Sequence, residues 1–182
     1  VSITPKQFYF YPNTFLLSSI TNNENFSFNL SDIDPYTLWI KQNSKEEESL
    51  HNFLWLNLIN RKNDAVIIQK IIIQWINKNN TYKKTIWNSS ITSKRIISWI
   101  LNANIILNNA DKNFKEIFFQ SIIIQINHLK KNFKFENSDS KKLEILTAIL
   151  LSGLVFKEYF ENFNFSLKEL KKIIENFFDN EG

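Results

Sequence analysis

The chain has no cysteine and no methionine, and its 182 residues include only two glycines, three prolines and two histidines. Without cysteine there are no disulfides and no thiolate metal ligands. A chain that starts at Val1 reads as a piece of a longer protein, so any signal peptide would lie upstream of it. The tail Phe177-Phe-Asp-Asn-Glu-Gly182 likewise reads as a cut. No uncharged apolar run reaches the roughly 18 residues that a membrane span needs, so no span is expected. Charge of one sign is also scarce: the net charge of +4 is mild and favours acidic partners only weakly.

Arginine is nearly missing. Arg61 and Arg95 stand alone among 22 basic residues, and isoleucine and asparagine dominate the composition. That bias is what an AT-rich genome produces, with Lys replacing Arg wherever Lys suffices. A retained arginine is therefore a candidate for work that needs a planar, permanently charged fork. Arg95 precedes Trp99 by one helical turn and follows Trp87 by eight residues. Arg95 and Trp99 thus share a helix face. A guanidinium beside two indoles suits a sugar carrying carboxylates or sulfates. The alternative is a packed tryptophan pair with Arg95 covering its edge.

The three prolines, Pro5, Pro12 and Pro35, all lie in residues 1–44, with alternating aromatics at Phe8, Phe10, Phe26 and Phe28. This stretch reads as an irregular lead with one short strand pair. After residue 45 there is no proline, and the glycines are Gly153 and Gly182. The missing breakers and apolar spacings of three and four predict helices.

Six are expected, in antiparallel pairs. The first spans residues 45–60, with Ser44 and Glu47 as a capping box. The second spans 64–78, with Ile68, Ile71, Ile72, Trp75 and Ile76 on one stripe. The third spans 92–108, capped by Thr92, and the fourth 111–131. The fifth spans 140–161, and the sixth starts at the capping box Ser166-Leu-Lys-Glu169. Ile71-Ile72-Ile73 and Ile122-Ile123-Ile124 favour strand locally, but length and caps outweigh them. Helices two to four are apolar over more than one face, as in a layered array. No fixed-period repeat is present. Gly153, inside the fifth helix, predicts a closely approaching neighbour, because glycine there costs roughly 1 kcal/mol relative to alanine.

Catalytic chemistry is sparse. His51 precedes Trp55 by one turn and either faces a cleft or is a surface or satisfied histidine. His128 sits near the end of the fourth helix, where a cation suits the dipole, and reads as structural. No metal-ligand spacing, phosphate-binding glycine loop or nucleophile elbow is present, so no metal or cofactor is expected. Nucleic acid is not an expected partner, since there is no arginine cluster or one-sided basic stripe. Of the five tryptophans, Trp75 reads as core and Trp87, in a polar loop, as the least core-like.

The order of the short motifs is more specific than any one of them. The run Leu50-His-Asn-Phe-Leu-Trp55-Leu-Asn-Leu comes first, then Gln74-Trp75-Ile76. Trp87 with Thr92-Ser-Lys-Arg95-Ile-Ile-Ser-Trp99 follows, then Gln125-Ile-Asn-His-Leu129. This order resembles the N-terminal helical domain of heparinase II/III-like proteins, over residues 25–182. The resemblance implies an all-α, incomplete α/α toroid, packed in the whole protein against its own C-terminal β-sandwich. It implies a polysaccharide lyase that removes the C5 proton of a uronic acid and eliminates the 4-linked sugar, and by analogy a periplasmic setting. An Asn or Gln would neutralise the carboxylate, and Tyr and His would move protons. The developing enolate is stabilised by groups already in place. The best register puts Ser140 at the neutralising Asn position, with Asn137 three residues earlier. The catalytic Tyr and His would lie beyond Gly182. The expected sugar-binding residues are His51, Trp55, Trp87, Arg95 and Trp99, and the expected partner is an acidic polysaccharide. The competing expectation is a helical interaction module with its tryptophans in the core.

Overall fold

A computed structural model of the chain describes residues 3–12, 34–35, 38–39, 47–59 and 65–181. Among these the chain is helical and has no strand. Ser44, Arg61, Asp64, and the Phe26 and Phe28 of the expected strand pair lie outside the described residues, as does Gly182. No helix is long and apolar enough to cross a membrane among the described residues.

The first helix is much shorter than its apolar pattern predicts. Helix α1 spans only Glu47–His51. The Asn52 side chain then accepts the Leu54 N–H at 2.8 Å, and Phe53 turns left-handed at φ 58°. A short polar side chain competing for the backbone ends the helix without glycine or proline. A 3-10 turn follows at Leu54–Asn57.

Helix α2, Ala65–Lys78, buries Ile68, Ile71, Ile72, Trp75 and Ile76, the predicted stripe. Helix α3, Ser89–Leu101, starts three residues before the expected Thr92, because the Asn88 side chain accepts the Ile91 N–H at 2.9 Å. It also ends early. Asn102 turns its amide to the Ser98 carbonyl at 2.9 Å and to Asn57 Oδ1 at 2.8 Å, and the short α4, Ala103–Ile106, follows. Helix α5, Lys112–Phe133, is capped by Asp111, whose carboxylate accepts the Phe114 N–H at 2.7 Å.

The last boundary also differs from expectation. Helix α6, Asp139–Val155, is capped by Ser138 and stops where Phe156 becomes extended. After a 3-10 turn at Lys157–Tyr159, α7 runs unbroken through Phe160–Glu181. The capping box expected at Ser166 is therefore mid-helix. Ser166 is fully buried against the protein interior, and its hydroxyl has no partner. Burial of a small side chain in α7 overrode a good local start signal.

Helix α3 lies at the centre, packed on α5 and α6; α2 packs on α4 and α5, and α7 on α6. The α6–α7 contact depends on Gly153. A Cβ there would sit 2.3 Å from the Phe163 backbone nitrogen, so only glycine allows this approach. The close neighbour expected at Gly153 is thus α7. In the N-terminal lead, Phe8 packs on Phe119 and Phe156, and the Tyr9 N–H donates to the Val155 carbonyl at 2.9 Å.

Candidate functional site

The retained arginine is interior. Arg95 is 0% exposed, and its guanidinium lies 4.2 Å from the centre of the Trp75 ring. Nε donates to Gln125 Oε1 at 2.7 Å, and Nη1 to the carbonyls of His51 at 2.9 Å and Ile86 at 3.2 Å. Nη2 donates to Thr92 Oγ1 at 3.2 Å. Every bond goes to a neutral acceptor. The fork ties α1, α5 and the segment before α3 to α3, which a single-point lysine ammonium cannot do. Burial pushes the Arg95 pKa well below its ordinary value.

The indoles expected to line an open cleft are interior as well. Trp55 and Trp99 pack with Phe53, and Trp75 meets Trp99 edge-on. His51 is buried, stacked on Trp39, and its Nδ1 accepts the Trp75 indole N–H at 2.8 Å. Burial first, then the Arg95 charge, lowers its pKa from 6.5 to about 3, so it stays neutral. The cleft expected at Trp55, Arg95, Trp99 and His51 is therefore corrected to a core network. Large aromatic rings fill a helical core as readily as they stack on sugars.

Trp87 reaches an open groove. At 6% exposed it is the least buried of the described tryptophans. It forms part of a groove of about 570 Å³ between the loop before α3, the C-terminal part of α5 and the start of α6. The Trp87 N–H of the indole donates to the Asn79 carbonyl at 3.2 Å, which fixes the loop. Its own carbonyl accepts from His128 Nε2 at 2.9 Å. The Trp87 and His128 rings meet edge-on at 5.4 Å, and Tyr82, 64% exposed, tilts over His128 at 5.6 Å.

Charged groups rim the groove. Lys84 comes from the loop and Lys141 from α6; Glu48 comes from α1 and Glu136 from the α5–α6 connection. One oxygen of Glu136 accepts the N–H groups of Asn137 and Ser138, both at 3.1 Å. The His128 pKa is lowered, chiefly by burial, with the Arg95 and Lys131 charges adding; the Trp87 carbonyl opposes them. Asn137 and Ser140 are exposed and flank this rim, next to Glu136 and Lys141 in sequence, but neither lines the groove.

No protein-family model, curated protein or solved structure matches this chain. The groove is thus interpreted from its own groups. An open phenol ring, two ammonium groups and two carboxylates can stack on a sugar ring, pair its acidic groups and accept its hydroxyl protons. Among the described residues no cluster of side chains could hold a metal ion. A larger hollow of about 610 Å³ between Thr4–Lys6 and the start of α5 has lysines, but its one ring, Phe119, is buried. Sequence reading missed Tyr82, Lys84, Lys141 and the groove role of His128. Only the isolated Tyr-Lys-Lys before Trp87 hinted at them.

Proposed function

We propose that this chain is the substrate-binding helical domain of a heparinase II/III-like polysaccharide lyase, and that it holds a uronic-acid-containing chain in the Tyr82–His128 groove. One observation carries the reading: an exposed aromatic ring over a histidine, with a lysine on either side, in a groove large enough for sugar rings. Tyr82 stacks on an apolar sugar face. Lys84 and Lys141 pair with uronate carboxylates, and Glu48 and Glu136 accept sugar hydroxyls. Pairing a carboxylate with Lys141, or with Asn137 or Ser140 beside it, lowers the cost of the enolate that forms when C5 loses its proton. On this reading the packed helices are part of an α/α toroid, the proton-transfer groups come from residues beyond 182, and a β-sandwich covers the toroid in the whole protein.

The test is retention of the chain on immobilised polygalacturonate, alginate or heparan sulfate, beside a neutral glucan. The reading predicts retention on at least one acidic polymer and none on the glucan. Equal behaviour on acidic and neutral polymers contradicts it. A longer protein containing this chain should also release unsaturated uronate from the polymer that is bound.

A second reading, a helical interaction module without turnover, draws on a different observation. Phe160, Leu167 and Ile174 on α7 are exposed at seven-residue spacing, an apolar stripe suited to another helix. It predicts no retention on any polysaccharide.

A further inference from the structure

His128 is placed to couple the groove to pH. Its Nε2 donates to the Trp87 carbonyl at 2.9 Å, so the neutral ring keeps its proton there and presents a bare Nδ1. The Asn132 amide nitrogen lies 3.2 Å from Nδ1 and 3.1 Å from Nε2, while donating to the His128 carbonyl at 2.9 Å. An atom nearly equidistant from both ring nitrogens has to lie over the ring, because any in-plane position would collide with a ring carbon. Asn132 therefore does not satisfy the in-plane lone pair of Nδ1. Tyr82 is tilted over the same ring, and the groove runs past it.

We propose that the groove takes up its acidic ligand together with one proton, which settles on His128 Nδ1 and makes His128 a third cationic contact beside Lys84 and Lys141. This rests on the acidic-sugar reading of the groove and adds its regulation. The charges around His128 set the balance. Arg95 on α3 and Lys131 on α5 disfavour its protonation. Lys84 from the loop, Lys141 from α6, Glu48 from α1 and Glu136 before α6 line the same groove, with Tyr82 beside the ring. In the empty groove the cations and burial win, and the ring is neutral near neutral pH. An anionic sugar entering between the lysines reverses that balance. A proton then gives Nδ1 a donor for a ligand oxygen, while Nε2 keeps the Trp87 loop in place.

The linkage requires affinity to rise as pH falls, by at most about tenfold per pH unit between the free and bound pKa values. Affinity alone does not single out His128. Histidine NMR does, because the chain has two histidines and buried His51 does not titrate in this range. The experiment follows the His128 ring signals from about pH 5 to about pH 7, with and without a purified galacturonate oligomer, beside calorimetry of the same oligomer. We expect the His128 midpoint to move up on binding and His128→Gln to flatten the pH dependence of affinity. If the oligomer binds but the His128 titration curve does not move, the proton coupling is overturned and the binding groove stands. If the oligomer does not bind at any pH, both fail.

Discussion

The Arg95 guanidinium lies over the Trp75 ring, 4.2 Å from its centre, inside the protein and away from solvent. An arginine spared by a lysine-favouring composition is thus spent on architecture. Its fork gathers the His51 and Ile86 carbonyls, Gln125 and Thr92 around one helix. Arg95→Lys retains a buried charge and leaves several of these acceptors unmet. It should destabilise by about 3 kcal/mol and leave binding by the folded fraction intact. Denaturant unfolding beside a binding assay checks this; unchanged stability with weakened binding would return Arg95 to a sugar site.

Gly153 reverses an ordinary rule. Gly→Ala inside a helix normally stabilises by about 1 kcal/mol. Here the added Cβ would meet the Phe163 backbone nitrogen at 2.3 Å. Gly153→Ala should destabilise by about 1–3 kcal/mol as α7 is pushed away, and Gly153→Leu by more. Thermal unfolding that shows Gly153→Ala to be stabilising would mean that α6 and α7 do not meet there.

These two positions show what the sequence makes legible. Apolar periodicity and missing breakers locate most of the helical mass, and a lone mid-helix glycine correctly marks a close approach. Boundaries set by side-chain amides are less visible: Asn52, Asn88 and Asn102 end or start helices in a chain where asparagine is everywhere. Ser166 carries a good capping signal and is buried mid-helix instead. The groove was not legible, because Tyr82, His128 and Lys141 are far apart in sequence and only packing brings them together. The tryptophans, by contrast, suggest a surface that the fold buries.

Ser166 separates cap from core by sign. As an N-cap, Ser166→Ala would cost about 1 kcal/mol. As a buried hydroxyl without a partner, its removal should be neutral or stabilising by up to about 1 kcal/mol. The second outcome is expected in chemical denaturation, and a clear loss would contradict the continuous α7.

His51 should make the fold acid-sensitive. Its pKa is about 3 in the folded chain against an ordinary 6.5, so the unfolded chain binds a proton that the folded chain refuses. Stability from this group is complete above about pH 6.5 and falls as pH drops, by up to about 1.4 kcal/mol per pH unit, until about pH 3. His128, also lowered, adds in the same direction. His51→Gln, which retains an acceptor for the Trp75 indole, should flatten part of that slope. An identical slope in wild type and variant would show that His51 is not the group.

The most direct test of the groove is calorimetric titration of a galacturonate oligomer into the chain and into a Lys84→Glu, Lys141→Glu double variant. Both lysines are exposed and form no ion pair among the described residues, so the variant should keep its melting temperature. Each charge-assisted contact contributes about 1.5–3 kcal/mol, so its loss should weaken binding by at least about tenfold. The predicted result is binding by the wild type and strong loss in the folded variant. No binding by the wild type, or equal binding by both proteins, would contradict the assignment of this groove to an acidic sugar.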